Sequence, residues 1–489
     1  MTSPTGGQQF YSALQEKAMA AVQDTFKSTL YPVQYPSQGD FKWNWQDGNQ
    51  VFNDDTYQYV NALAKPGDVA GTVALSDAGG FANAYVAVLN AMEFSLSSGD
   101  QAELDKAQSD ASVEAGTIVS DYETSFGTIT PAQMTDAGVS TKLDYVISYV
   151  LGSQWSGATP PLSQTAMASA EDLTALLPNA PMSADPVITD VTTYLNLMQP
   201  VIGLKDQLQR NDWTLRQLKN NAMHPSESNG GMQTFHPNDG SVLAGYNDGW
   251  EISDSIASIN NDLQNIGRTI SIEMTTSQSS SSDLEVTMQG QAGFTIGSIL
   301  EFSTAANVSY DMSKTKGTST DCSVSITYAG YSMVSAGPAA WQQATNVGFY
   351  SADPISQAVA NVGQDVTGFK FLNTPPYQFG SLASGGNFGL LTNLLISNYP
   401  TVSITYTNAD YQTFSESWDE QASGSLTLFG FIPLGSVSQS AGGSSHSQSA
   451  DNSTFTVTFS PSPEVTGVPQ ALKTAYVIGA AVANPGTTG

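Results

Sequence analysis

The sequence is poor in positive charge. It has 15 Lys and Arg residues against 44 Asp and Glu residues, which gives a formal net charge of −29. Beyond residue 270 the only Lys or Arg residues are Lys314, Lys316, Lys370 and Lys473. A surface this negative repels phosphate backbones and does not attract anionic lipid. We therefore expect no nucleic-acid partner, and any contact with a membrane has to be apolar.

Charge of either sign is scarce as well. Charged residues make up 12% of the chain, about half of the roughly 25% that is usual in soluble domains. The apolar fraction of 40% is nevertheless enough for packed cores, and 489 residues allow two or three domains. The polar surface must then consist largely of Ser, Thr, Asn, Gln and Gly, a composition typical of exported or assembling proteins.

Cysteine is almost absent. The single Cys322 excludes an intramolecular disulfide and a Cys-based zinc site. It begins an alternating run that continues through Ser323, Val324, Ser325 and Ile326. This pattern indicates a small residue on one face of a strand.

Long hydrophobic runs are also missing. No stretch approaches the about 18 apolar residues of a transmembrane helix. The N-terminal residues 1–9 have neither a basic segment nor an apolar one, so they do not read as a secretory signal peptide. We expect a chain made as a soluble cytoplasmic protein, and any release would proceed without a Sec signal.

The first 270 residues show helical periodicity. The spacing of apolar residues predicts long helices near 80–126, 186–222 and 250–270, with a kink at Pro200. The last of these helices carries a heptad-like packing seam of six residues. The seam consists of Ile252, Ile256, Ile259, Leu263, Ile266 and Ile270.

After residue 270 the apolar period changes from 3.6 to 2, which predicts strands. The fold class is therefore α+β: a helical N-terminal half (a helix bundle, residues 1–270) followed by a mostly antiparallel, β-rich half (271–489). The β-rich half contains a possible degenerate repeat, with copies at 284–328 and 423–459. Each copy has an apolar patch that contains Gly, then a polar tract, then a strand.

Catalytic motifs are lacking. There is no phosphate loop and no Gly-x-Ser-x-Gly turn, so we predict a non-enzymatic protein without a cofactor. His224 and His236 share one loop with Glu227 and Asp239, and these four could hold a metal ion. Each His is followed by Pro, however, so the alternative is that they only shape turns. We predict no metal site, but the sequence alone does not decide whether this loop binds a metal ion.

The uncharged amphipathic strands are the most informative feature. Such strands suit both a half-buried sheet and a membrane barrel. The layout resembles, in general style, pore-forming toxins that carry a helical domain and convertible β-hairpins. The resemblance implies a protomer that forms homo-oligomers and inserts hairpins from 284–328 and 423–459 into lipid. The apolar patches would then be membrane tips or interfaces, and the alternative is that they are core. They contain Phe294, Ile296, Ile299, Leu300, Leu428, Phe429, Phe431, Ile432 and Leu434.

Two other classes of function remain open. A structural protein could use the same strands to pair edge to edge into filaments, tubes or shells without lipid. A carbohydrate-binding protein is a third possibility, which depends only on Trp43, Trp45 and the surplus of acidic residues.

Overall fold

The computed structural model describes most of the chain in fifteen segments. They are residues 6–33, 41–43, 45–46, 51–76, 79–236, 240–278, 283–288, 291–296, 299–303, 309–311, 322–407, 425–436, 445–448, 454–460 and 473–487. All structural statements below concern these residues.

Helices and strands alternate in the first part of the chain, and strands dominate after residue 268. The helices are α1 Gly6–Val22, α2 Asp54–Val60, α3 Gly80–Asn90, α4 Ser98–Asp110, α5 Ser112–Phe126, α6 Pro131–Ala137, α7 Lys142–Asp144, a π-helix Tyr145–Trp155, α8 Gln164–Ala168, α9 Asp185–Leu197, α10 Ile202–Met223, α11 Ile256–Gln264 and α12 Asp353–Ala360. The strands are β1 Tyr31–Pro32, β2 Phe41–Trp43, β3 Trp45–Gln46, β4 Val51–Asn53, β5 Leu63–Pro66, β6 Val73–Ser76, β7 Met92–Ser95, β8 Thr234–Phe235, β9 Trp250–Ile252, β10 Thr269–Gln278, β11 Leu284–Met288, β12 Gln291–Ile296, β13 Leu300–Ser303, β14 Ser309–Asp311, β15 Cys322–Ala329, β16 Tyr331–Pro338, β17 Gly368–Phe371, β18 Gly389–Ser397, β19 Thr401–Thr407, β20 Ser425–Leu428, β21 Ile432–Ser436, β22 Ser445–Gln448, β23 Thr454–Phe459 and β24 Lys473–Ala483.

The chain forms two compact units, and each is assembled from separated segments. The sheet unit comprises Met1–Ala84, Met232–Pro338 and Tyr377–Pro485, within the described residues. The helical unit comprises Tyr85–Gly231, Ala339–Pro376 and Gly486–Gly489, with the same restriction.

The α+β fold class predicted from the sequence is confirmed. The organisation along the chain differs from the predicted division at residue 270, because α1, β1 to β6 and α11 belong to the sheet unit. Pairing of β1 and β2 with β24 ties the N-terminal segments to the far end of the chain. Such long-range pairing leaves no periodic signal in a sequence.

The sheet unit contains a seven-stranded antiparallel sheet and an eight-stranded sheet. The strand order of the seven-stranded sheet is β12-β11-β10-β15-β19-β23-β22. Apolar residues alternate with Ser and Thr along the central strands, so that one face is buried. The period of 2 that the sequence shows is therefore the inside–outside period of this sheet.

The neighbouring eight-stranded sheet is built on β18 and β24. Its main path is β1-β24-β18-β16-β9, with β2 on β24, β5 on β18 and β6 on β5. The run Leu394, Leu395 and Ile396 in β18 is completely buried. A continuous apolar run of this kind is typical of a strand covered on both faces.

Helix α1 packs on the apolar face of the seven-stranded sheet, against β10 and β12. It buries Phe10, Leu14, Ala18 and Val22, which recur every fourth residue and form one stripe. These side chains belong to the same core cluster as Val286, Val324, Ile404 and the other inward residues of the sheet. The helix thus closes a core whose other wall comes from residues hundreds of positions away.

The helical unit has its own core. Helices α5 and α9 and the π-helix pack together around Ile118, Val146, Val150, Val187 and Val191. Helix starts follow local capping rules: Thr130 forms a capping box with Gln133 at α6. The antiparallel pair β7 and β17, which are distant in sequence, adds a two-stranded sheet.

The predicted long helices are shorter and more numerous in the structure. The 80–126 segment contains α3, β7, α4 and α5. The 186–222 segment divides into α9 and α10, with a 3-10 turn at Gln199–Val201, where Pro200 was predicted to cause a kink. Because Pro lacks an N–H group and clashes with the preceding turn, the helix stops and restarts there.

The predicted packing seam does not form one helical stripe. Ile252 lies in β9 and Ile270 in β10, while α11 spans only Ile256–Gln264. Ile259 and Leu263 are buried in the sheet unit, Ile256 is half-buried, and Ile266 is 71% exposed. Ser255 caps the start of α11, and the helix ends at Asn265, just before Gly267. These local start and stop signals outweigh the heptad spacing.

Among the helices of the described segments, none combines the length and the apolar character needed to cross a bilayer.

The turn between β15 and β16 offers a test of the sheet unit. Gly330 has φ +61°, and a Cβ there would collide with the backbone carbonyl of Leu263 at the end of α11. We expect Gly330→Ala to lower the free energy of unfolding by about 2–4 kcal/mol, because it adds left-handed strain and a backbone clash. Thermal unfolding followed by circular dichroism measures this.

Gly337→Ala is the matched control, because Gly337 lies in β16 with open space around the added methyl group. It should leave the midpoint of thermal unfolding nearly unchanged. Equal destabilisation by both substitutions would contradict the close approach of Gly330 to α11.

Candidate functional site

The seven-stranded sheet presents one apolar face and one face of hydroxyl groups. In β10 the residues Ile270, Ile272 and Met274 are buried, and their neighbours point to the opposite face. On that face the described strand residues with charge are Glu273 and Glu285. Ser and Thr make up most of the rest: Thr269, Ser271, Thr275, Ser277, Thr287, Thr295, Ser323, Ser325, Thr327, Thr401, Ser403, Thr405, Thr407, Ser447, Thr454, Thr456 and Thr458.

Hydroxyl groups on this face pair across neighbouring strands. Ser271 and Thr327 lie 3.1 Å apart between β10 and β15. Ser403 and Thr458 are also 3.1 Å apart, and Thr405 and Thr456 are 2.8 Å apart, between β19 and β23. Such pairs satisfy polar side chains without any charge and add to the stability of the strand pairing. We call this surface the hydroxyl face.

The structure brings the two apolar patches predicted from the sequence into one cluster. Leu300 in β13 lies opposite Leu428 in β20. The Phe294 ring centroid is 6.0 Å from that of Phe429 and 5.9 Å from that of Phe431. The patches are more than a hundred residues apart in sequence, and they meet because β13 and β20 are neighbours in the four-stranded sheet. We call this group of side chains the phenylalanine cluster.

Most members of the two patches are buried in this conformation. Phe294, Ile296, Ile299, Leu300, Leu428, Phe429 and Ile432 are each at most 8% exposed. Phe431 is half-buried and packs against the same core. Leu434 lies in β21, and its side chain is outside the described part of the structure. In the folded monomer these residues are therefore core rather than exposed tips.

Helix α1 packs directly on the phenylalanine cluster. The ring centroids of Phe10 and Phe431 are 6.0 Å apart. A Cβ added to Gly6 would lie 2.6 Å from Cδ2 of Phe294. The start of α1 and strand β12 are thus in close contact, and glycine at position 6 permits it.

Phe429 has a strained backbone. Its φ is +56°, and the following Gly430 has φ +77°. A bulky side chain in the left-handed region costs on the order of 1–2 kcal/mol. Burial of the ring and the hydrogen bond from the Phe429 N–H to the Ile299 carbonyl (2.9 Å) hold it in place. Strain of this kind is concentrated at functional positions, which draws attention to the phenylalanine cluster.

The copies of the predicted repeat occupy related positions. Their final strands, β15 and β23, both pair with β19, one on each side. The segments 284–328 and 423–459 are not simple hairpins, however, because each contributes strands to both the seven-stranded and the four-stranded sheet.

The remaining sequence candidates do not converge on a chemical site. Within the described residues, no group of three or more His, Cys, Asp or Glu side chains could hold a metal ion. Asp239 lies outside the described residues. Trp43 lies in β2 and Trp45 in β3, and their side chains are also outside the described part.

Sequence reasoning missed a buried carboxyl group in the sheet unit. Asp248 is only 9% exposed, and its Oδ1 has no hydrogen-bond partner among the described residues. Burial raises the pKa of Asp248 from 3.8 to about 7. The pKa of the nearby Tyr57 hydroxyl is raised by burial and by the negative charge of Asp248. The sequence Asn247-Asp248-Gly249 resembles an exposed turn and gave no sign of this burial.

Comparisons with known proteins add no identification. The chain matches no protein-family model, and the searches of curated proteins and of solved structures found no significant match.

Asp248 makes the stability of the sheet unit depend on pH. Because its pKa is raised in the folded state, the unfolded chain loses this proton first as the pH rises. The contribution is full below about pH 4 and is lost by about pH 7 to 8, for a total of at most about 4 kcal/mol. We expect Asp248→Asn to remove this loss, so that the variant is the more stable protein at pH 8.

Urea unfolding at several pH values between 4 and 8 measures the effect. Glu251→Gln is the control, because Glu251 is exposed on the adjacent β9. It should retain the pH dependence of the wild type. An Asp248→Asn variant with the wild-type pH dependence would contradict this assignment.

Proposed function

We propose that this chain is a protomer that forms homo-oligomers and inserts strands of its seven-stranded sheet into a lipid bilayer. The observation that carries the proposal is the division of this sheet into an apolar face under α1 and a nearly uncharged hydroxyl face. This alternation of apolar and hydroxyl side chains is the pattern of strands in a membrane β-barrel.

A bilayer imposes two requirements on inserted strands. Every backbone group must be paired, and side chains must alternate between lipid and lumen. The central strands of the sheet satisfy the second requirement, with hydroxyl groups on the side that would face water. β10 has ten residues, which matches the about 9–11 residues of a tilted membrane strand.

Helix α1 has to leave the sheet for insertion to occur. Its stripe of Phe10, Leu14, Ala18 and Val22 covers the face that lipid would cover in the inserted state. Lipid tails are as apolar as these side chains, so the exchange conserves the apolar contacts of the sheet. Release of α1 is therefore the step that controls insertion in this proposal.

A disulfide between α1 and β12 tests this step. Gly6→Cys combined with Phe294→Cys is suitable, because a Cβ on residue 6 lies 3.3 Å from Cγ of Phe294. We expect the oxidised double variant to release no dye from phosphatidylcholine vesicles, and reduction to restore release. Zwitterionic phosphatidylcholine is chosen because the net charge of −29 disfavours anionic lipid, and vesicles with and without cholesterol should be compared.

The two single-cysteine variants are the controls, since they carry the same side-chain changes without the crosslink. Cys322 is buried and should not compete for the disulfide. Equal dye release by the oxidised and reduced double variant would show that α1 does not need to leave. No release by the wild-type protein from any vesicle would contradict insertion itself.

Assembly without lipid is the second candidate, and the edges of the seven-stranded sheet favour it. The edge strands β12 and β22 contain no Lys, Pro, Asp or Glu, the residues that usually protect an edge from pairing with another chain. Pairing of β12 in one copy with β22 in the next would extend the sheet from protomer to protomer.

Lysine substitutions test whether the edge strands β12 and β22 mediate assembly. Thr295→Lys in β12 and Ser447→Lys in β22 place exposed charges on the two edges. We expect either change to abolish rings, filaments or shells seen by electron microscopy. Thr287→Lys, exposed on the interior strand β11, should leave them intact. Assemblies that persist in both edge variants would rule out edge pairing.

A further inference from the structure

The helical unit has a groove of about 230 Å³ along α10. One wall is a stripe of α10 that includes Asp206, Arg210, Trp213 and Arg216. Pro160, Pro161 and Leu162 contribute apolar surface to the lining. The groove has no part in the proposed membrane function, which concerns the sheet unit.

Arginine is concentrated at this groove. The whole chain has three arginines, and Arg210 and Arg216 are two of them. The third, Arg268, is committed elsewhere: it forms an ion pair with Asp262 at 2.7 Å and lies over the ring of Tyr331. Two of three arginines in one groove is notable in a chain with a net charge of −29.

Neither groove arginine forms an ion pair with a described residue. Arg210 is exposed and has no hydrogen-bond partner within the described segments. Arg216 donates one hydrogen bond from Nη1 to the Ala137 carbonyl, at 3.0 Å. Its guanidinium lies against Gly138, where a Cβ would occupy the same space. Glycine at the end of α6 thus allows Arg216 to be held at the groove while other N–H groups of its fork stay available.

No acidic residue of the groove lining forms an ion pair with Arg210 or Arg216 among the described residues. Burial lowers the pKa of Arg216, and the negative charge of Asp212 on the same helix opposes this effect. Asp206 accepts hydrogen bonds from the backbone N–H groups of Gln164 and Thr165, at 2.6 and 2.7 Å. Its charge therefore stabilises the first turn of α8. Asp136, the other acidic residue in the lining, is exposed to solvent.

Trp213 lies between the two arginines on α10. It is half-buried, and its ring centroid is 6.1 Å from that of Trp341. Residues 210 and 216 are six positions apart, a rise of about 9 Å along a helix. A ligand whose apolar part packs against Trp213 would therefore have the Arg210 guanidinium near one end and the Arg216 guanidinium near the other. Guanidinium groups recognise carboxylates and phosphates through paired hydrogen bonds.

We propose that this groove binds a small organic anion. Its apolar body contacts Trp213, Pro160, Pro161 and Leu162, and its carboxylate or phosphate group contacts Arg210 or Arg216. The site uses the cations of an otherwise strongly acidic chain, so it selects for negative charge in the ligand.

Calorimetric titration with phenylacetate and with phenyl phosphate tests the proposal. We expect saturable binding of at least one, and the tighter of the two identifies the acidic group. At least one of the two substitutions Arg210→Gln and Arg216→Gln should weaken this binding by roughly tenfold, and it identifies the arginine that contacts the acidic group. Lys219→Gln removes a cation from α10 outside the groove lining and should not change the affinity.

Two further probes test the separate parts of the site. Benzyl alcohol has the apolar body without the charge, and inorganic phosphate has the charge without the body; both should bind more weakly than the aryl anions. Arg210→Gln is the safer variant for folding, because Arg210 is exposed and forms no hydrogen bond or ion pair with a described residue. Absence of saturable binding of both aryl anions, or affinity unchanged in both arginine variants, would overturn the proposal.

Discussion

The burial of the apolar face of the seven-stranded sheet, against which α1 packs at β10 and β12, is the interaction on which the sheet unit depends. β10 is central to it, because its residues pair with β11 on one side and with β15 on the other. A slip of one residue in either register would place hydroxyl groups in the core and apolar groups in water. The strict alternation of the sequence therefore restricts each strand pair to registers that keep the apolar residues inward. Helix α1 contributes to the core on this face.

The same apolar face serves the folded monomer and, in the proposed function, the bilayer. It cannot contact α1 and lipid together, so monomer stability and insertion oppose each other at this surface. The phenylalanine cluster lies at this surface, where Phe294 contacts α1 and Phe429 carries backbone strain. Cohesion of the cluster holds the strain in place, and its opening would release it.

Charged residues stabilise this protein at a few individual positions, because the chain has too few cations to pair with its acidic residues. With few cations in the chain, each arginine position has a distinct structural context. Arg268 joins the end of α11 to the ring of Tyr331 in the sheet unit, whereas Arg216 holds the end of α6 in the helical unit. Asp248 illustrates the opposite case, a buried carboxyl group whose pKa no cation of the described residues lowers, so that its proton stabilises the fold.

The sequence by itself determined the local periods: the strands of the β-rich half, the apolar stripe of α1 and the interruption at Pro200 all follow from residue spacing and backbone chemistry. Only the tertiary structure decided which surfaces meet. The contact of Phe294 with Phe429, the cover of α1 on β12, the burial of Asp248 and the separation of Ile252 from Ile270 into two strands depend on partners distant in sequence. The spacing of apolar residues shows which face of a helix or strand is apolar, but it carries no information about the surface that will cover that face.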